Sequence, residues 1–122
     1  MARGLPMKID ISQFGELGTK VTLVGRLDIA GADAIDLPLA TVAGKRGNVV
    51  IDMSGVEFLA SIGIRHLVMA AKAVARGAGR LVLLDPSPIV TEVLVTAGLD
   101  EILPMARTEE EARAKLMGSA NA

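Results

Sequence analysis

Two uninterrupted aliphatic runs, Val49-Val50-Ile51 and Leu81-Val82-Leu83-Leu84, constrain this chain more than any other feature. A strand with one solvated face alternates apolar and polar residues, whereas a run without polar interruption belongs to a strand covered on both faces, as in a largely parallel sheet. Parallel neighbours need a long crossover. Residues Ser61 to Arg76 supply one: Ile64, Leu67, Val68, Ala71, Val74 and Ala75 fall at i, i+3, i+4, i+7 spacing, and Gly77 closes the segment.

The remaining pattern extends that unit in both directions. Met7-Lys8-Ile9-Asp10-Ile11 alternates as a half-exposed strand, and residues Val21 to Leu27 read as a second. The Gly-containing link Phe14-Gly15-Glu16-Leu17-Gly18 makes them a hairpin. Ile29 to Ala43 carries Ile35, Leu39 and Val42 at helical spacing and stops at Gly44, with Pro38 inside it calling for a kink or a late start. A further helix starts at Ser87-Pro88 and ends at Ala97-Gly98. Ile102-Leu103 is the last short apolar stretch. Thr108-Glu109-Glu110-Glu111 then forms a capping box, with Lys115 placed to pair with Glu111. The order β-β-α-β-α-β-α-β-α predicts one α/β domain over residues 1–122, with a mixed, mostly parallel sheet and flanking helices. Its core spans about 7–117, and 118–122 are expected to be a flexible tail.

Composition removes whole classes of function. There is no cysteine and a single histidine, His66, so thiolate sites, disulfides and imidazole-rich metal centres are excluded, and no metal or cofactor is expected. Thirteen basic and fourteen acidic residues leave a net charge of −1, without the basic excess of a direct nucleic-acid binder. The only aromatics are Phe14 and Phe58, too few for a base-stacking platform. No apolar run approaches the roughly 20 residues that cross a bilayer, and the first residues lack a signal-peptide pattern. A soluble, cytoplasmic chain with no membrane insertion is expected, its oligomeric state left open.

In parallel sheets, sites gather at the carboxyl ends of strands. Those positions are Asp28, the connection from Asp52 to Ala60, and Asp85. Ser61 stands at the start of the clearest helix, where unpaired N–H groups and the dipole would stabilise a phosphate; by position alone the reading as a helix cap is preferred. Asp28 has two readings, a cap for the next helix or a neighbour of Ser61 on a partner surface. Asp52 and Ser54 are expected to organise their loop through side-chain-to-backbone bonds. Gly63 is expected to let the helix start pack closely on the sheet.

Enzyme constellations do not assemble. Ser61 and His66 are five residues apart on one helix, about 140° around its axis, which is no nucleophile–base pair. Gly44-Lys45-Arg46-Gly47 lacks the remaining residues of a phosphate loop, and Gly77-Ala78-Gly79 follows a helix rather than a strand. The chain is expected not to be an enzyme.

The segment from Ile51 to Leu67, with Asp52-x-Ser54, Phe58-Leu59 and Ser61-x-Gly63, resembles the signature region of the STAS domains, the sulfate-transporter and anti-sigma-factor-antagonist modules. Val24-Gly25-Arg26-Leu27-Asp28 resembles the family's second-strand motif. The resemblance runs from about Lys8 to Met117 and implies a stand-alone anti-sigma factor antagonist. Such a protein binds an anti-sigma factor that is itself a serine kinase, and is switched off when that kinase phosphorylates the serine corresponding to Ser61, a phosphatase restoring it. The family pattern has an acidic residue before this serine and often a hydroxyl after it; here those positions are Ala60 and Ile62. Asp28, Ala60, Ile62, Gly63, Arg65 and Met69 are the expected partner-binding residues, on an outward helix side that also carries His66, Lys72 and Arg76. The alternative is a non-phosphorylated STAS subunit of an ABC-type lipid-transport complex, contacting its ATPase.

Overall fold

The two aliphatic runs lie side by side inside a five-stranded sheet. The computed structural model describes residues 7–118, so the first six residues and all of the expected tail beyond Gly118 lie outside it. Strands β1 (Lys8–Phe14), β2 (Gly18–Leu27), β3 (Asn48–Leu59), β4 (Leu81–Leu84) and β5 (Met105–Ala106) follow one another across the sheet in chain order. β1 is antiparallel to β2, and every other pair is parallel. The helices are α1 (Ile29–Ala43), α2 (Ser61–Arg76), α3 (Pro88–Thr96) and α4 (Glu109–Leu116).

Strand alternation divides the core in two. Val49, Ile51, Met53, Leu81 and Leu83 point to the face covered by α1, α2 and α3, where they meet Ile35, Leu39, Leu67, Val74, Val90 and Leu94. Val50, Val82 and Leu84 point the other way, into a smaller cluster with Phe14, Ala112 and Leu116 under α4. Both faces of β3 and β4 are thus covered, which is why those runs carry no polar interruption. No polar or charged residue is buried among the described residues.

Four expectations need correction. The connection read from Asp52 to Ala60 is strand as far as Leu59, because β3 continues to pair with β2 through two irregularities, between Thr22 and Val24 and between Gly25 and Arg26. Each gives β3 one extra residue, the signature of a bulge. The last strand is Met105–Ala106 and not Ile102-Leu103: Leu103 is a fully buried plug, and the ladder begins only where the Pro104 carbonyl accepts the Leu83 N–H at 2.8 Å. Helix α1 does not start late but runs from Ile29 through Pro38. Ala34, whose carbonyl loses its N–H donor at Pro38, is exposed, so water can take that bond. Finally, Glu111 does not pair with Lys115. Its carboxylate turns back to accept the Arg107 N–H at 2.8 Å, while Thr108 Oγ1 accepts the Glu111 N–H at 3.1 Å.

Candidate functional site

The carboxyl ends of β2 and β3 are tied together. Leu27 pairs with Leu59, and its carbonyl accepts the Ala60 N–H at 3.0 Å, so the turn into α1 and the turn into α2 lie next to each other. Asp28 leaves the first turn. Its Oδ1 accepts the Gly31 N–H at 2.9 Å as the cap of α1, and its Oδ2 lies 3.5 Å from Arg26 Nε. The Gly31 bond foremost, aided by Arg26, lowers the Asp28 carboxyl below its ordinary 3.8. Asp28 therefore caps α1 and also stands at the same sheet end as Ser61; the two readings are compatible.

Ser61 is not the cap of α2. Ala60 holds that position in extended conformation, with no side chain to offer, and Ser61 is the first helical residue. The Ser61 side chain is exposed, and its hydroxyl has no hydrogen bond among the described residues. Ile64 donates to the Ala60 carbonyl at 3.0 Å, which leaves the N–H groups of Ser61, Ile62 and Gly63 without acceptors inside the helix. No acidic residue occupies the first turn to offset the positive end of the dipole.

Gly63 is buried against the sheet. A Cβ there would stand 2.6 Å from Leu27 Cγ and 2.9 Å from the Leu27 carbonyl oxygen, so only glycine lets α2 begin this close to β2. The start of α2 is thereby held against the end of β2, the strand that leads into Asp28.

The outward side of α2 is narrower than the sequence implied. Ser61, Arg65 and Lys72 are exposed, and Met69 is 60% exposed, but Ile62 is half-buried. His66 turns toward α1: one ring nitrogen lies 2.9 Å from the Ile62 carbonyl and the other 3.4 Å from Asp36 Oδ1. Met69 borders a groove of about 210 Å³ between α1 and α2, lined also by Leu39, Ala40, Ala43 and Ala73. His66 therefore links α2 to α1 through Asp36, while the half-exposed Ile62 and the exposed Arg65 and Met69 remain on the outward side of α2.

Asp52 and Ser54 belong elsewhere. Asp52 Oδ1 accepts both the N–H and the hydroxyl of Ser54, at 3.0 and 2.7 Å, and stabilises the first bulge of β3 rather than a loop. Six residues, Gly55 to Ala60, separate Ser54 from Ser61, and the first five of them are strand, so the two serines stand on different parts of the molecule. Lys20 links this region to α4, bonding Glu109 at 2.8 Å and lying 3.7 Å from Asp52.

Three residues at the site escaped the sequence reading. Arg26 lies over the Phe58 ring at 4.4 Å, and Ile29, next to Asp28, is 78% exposed. Phe58 had a signal, since it is one of only two aromatics and falls within the quoted motif. A cleft of about 850 Å³ lies apart from Ser61, between α3 and α4. Among the described residues no three His, Asp or Glu side chains group to hold a metal, and no helix is long and apolar enough to cross a membrane.

An exposed hydroxyl beside aliphatic groups and uncompensated N–H donors suits protein recognition and phosphate acceptance more than turnover. The family model for the STAS domain matches residues 8–112. A Bordetella bronchiseptica protein, BtrV, assigned as an anti-sigma factor antagonist, is 32% identical over 93 residues, covering 75% of this chain and 80% of that one. The anti-sigma F factor antagonist of Lysinibacillus sphaericus is 28% identical over 103 residues, covering 83% and 87%. The solved structure of the anti-sigma factor antagonist SpoIIAA in its unphosphorylated form superposes with a TM-score of 0.73 at 25% identity, covering 91% of this chain and 97% of that one. The chain belongs to the STAS domain family.

Proposed function

We propose that this chain is an anti-sigma factor antagonist without catalytic activity, binding an anti-sigma factor through the surface around Asp28, Ala60, Ser61, Ile62, Arg65 and Met69, with Gly63 beneath it, and released by phosphorylation of Ser61. The observation that carries the reading is the unpartnered Ser61 hydroxyl at the first position of α2, on the surface shared with the Asp28 turn. The names of BtrV and of the Lysinibacillus protein support the partner class. The partner kinase would supply the phosphate and a phosphatase would remove it.

The physical effect of the switch is local. A phosphate adds about −1.5 to −2 charges beside an apolar contact, where desolvation without compensation opposes association. A thousandfold loss of affinity corresponds to only about 4 kcal/mol. The three free N–H groups at the start of α2 favour the modified state of the free protein. No refolding is required for this effect, because the added charge acts where it is attached.

Pull-down of partners followed by mass spectrometry, then incubation with the captured kinase and ATP and phosphopeptide mapping, tests the reading. A small kinase-like anti-sigma factor and phosphate on Ser61 are expected. Capture of a transporter ATPase instead, with Ser61 unmodified, would replace it with the ABC-subunit role.

A further inference from the structure

Strand β1 occupies an edge of the sheet, with β2 on one side and, among the described residues, no strand on the other. It is seven residues long, and Lys8, Asp10, Ile11, Ser12 and Gln13 are all exposed. Ile11 alone leaves 48% of its surface open. Such an edge invites pairing unless something blocks it, and proteins commonly block edges with an isolated charge. Here the charges come as an opposite pair two residues apart, Lys8 and Asp10. Across β2 they face Val24 and Thr22, and neither has an ion pair among the described residues.

The hairpin sets which backbone groups are free. The Phe14 carbonyl points toward β2, accepting the Leu17 N–H at 3.1 Å. In an antiparallel ladder inward and outward residues alternate, so Phe14, Ser12, Asp10 and Lys8 bond to β2 while Gln13, Ile11 and Ile9 turn their N–H and C=O groups to the open edge.

We propose that this edge pairs with the same edge of a second copy, antiparallel, about a two-fold axis at Ile9. That register sets Ile9 opposite Ile9 and Ile11 opposite Met7, covering the exposed Ile11, with backbone bonds from the outward residues. On the other face it sets Lys8 opposite Asp10 of the partner copy, twice by symmetry. An isologous contact of this kind closes on itself and gives a dimer with a continuous ten-stranded sheet. A two-fold at Ile11 would leave the charges opposite Phe14 and Ser12, so charge complementarity selects Ile9.

Sedimentation velocity of the full chain across a concentration series, with circular dichroism to verify folding, provides the test. A dimer is expected, with Lys8→Asp and Asp10→Lys each weakening it about tenfold or more, since each change turns two attractions into repulsions. The double variant Lys8→Asp/Asp10→Lys should restore the dimer. Amide exchange at Ile9 and Ile11 should slow as the dimer forms. A monomer at all concentrations, or a dimer indifferent to both single charge reversals, would overturn the proposal. A double variant that stays monomeric while folded would also overturn it.

Discussion

The carbonyl of Leu27 accepts the N–H of Ala60 at 3.0 Å, and this one bond joins the turn that carries Asp28 to the turn that carries Ser61. Leu27 also receives the buried Gly63 from the other side. The end of β2 thus serves as a platform on which the start of α2 rests, and the position of the Ser61 hydroxyl depends on it.

Gly63→Ala should strain that platform. The added Cβ meets the Leu27 side chain and, more rigidly, its carbonyl oxygen at 2.9 Å, so the helix start has to move. A loss of about 1–3 kcal/mol is expected in urea unfolding, together with weaker partner binding, because Ser61 and Arg65 move with the helix.

Ala60→Ser should act in the opposite direction. The cap of α2 has no side-chain acceptor, and a serine there can accept one of the free N–H groups. A gain of about 1 kcal/mol is expected in the same unfolding assay. No gain would indicate that the N–H groups of the first turn are already satisfied.

Ser61→Ala should be nearly silent for folding, within about 0.5 kcal/mol, because the hydroxyl has no hydrogen bond among the described residues. The same change removes the phosphate acceptor, so phosphate transfer by the partner kinase should disappear while binding persists. Arg65→Ala should also leave stability unchanged and yet lower partner affinity, read by calorimetry.

Acid stability should respond to Asp28. Its folded carboxyl titrates below the ordinary 3.8, so its contribution is fully present above that value and is lost as the pH falls through the folded value. Asn caps helices as well as Asp does. Asp28→Asn should therefore keep α1 folded but flatten the dependence of stability on pH below about 4. Lys20 has the opposite sign: its bond to Glu109 raises it above 10.5, so its contribution is present below that value and is lost as the pH rises through the folded value.

Legibility in the sequence followed the strength of local signals. Periodicity with clear stops located α2 from Ser61 to Arg76 and α1 from Ile29 to Ala43, and Ser87 and Thr108 marked the caps of the last two helices. The second half of β3 was hidden because Asp52, Ser54 and Gly55 read locally as turn chemistry, whereas pairing with β2 holds them in a bulged strand. Leu103 misled in the same way, its apolarity serving a buried turn and not a ladder. At the site, the special position of Ser61 was readable, but the identity of the cap, the inward turn of His66 and the stacking of Arg26 on Phe58 depend on contacts between elements distant in sequence.

The most direct measurement is calorimetric titration of the captured anti-sigma factor with this protein in two forms, unmodified and phosphorylated at Ser61. Tight binding of the unmodified form and a loss of about a thousandfold on phosphorylation, roughly 4 kcal/mol, are expected. Equal affinity of the two forms would contradict the assignment of Ser61 as the switch.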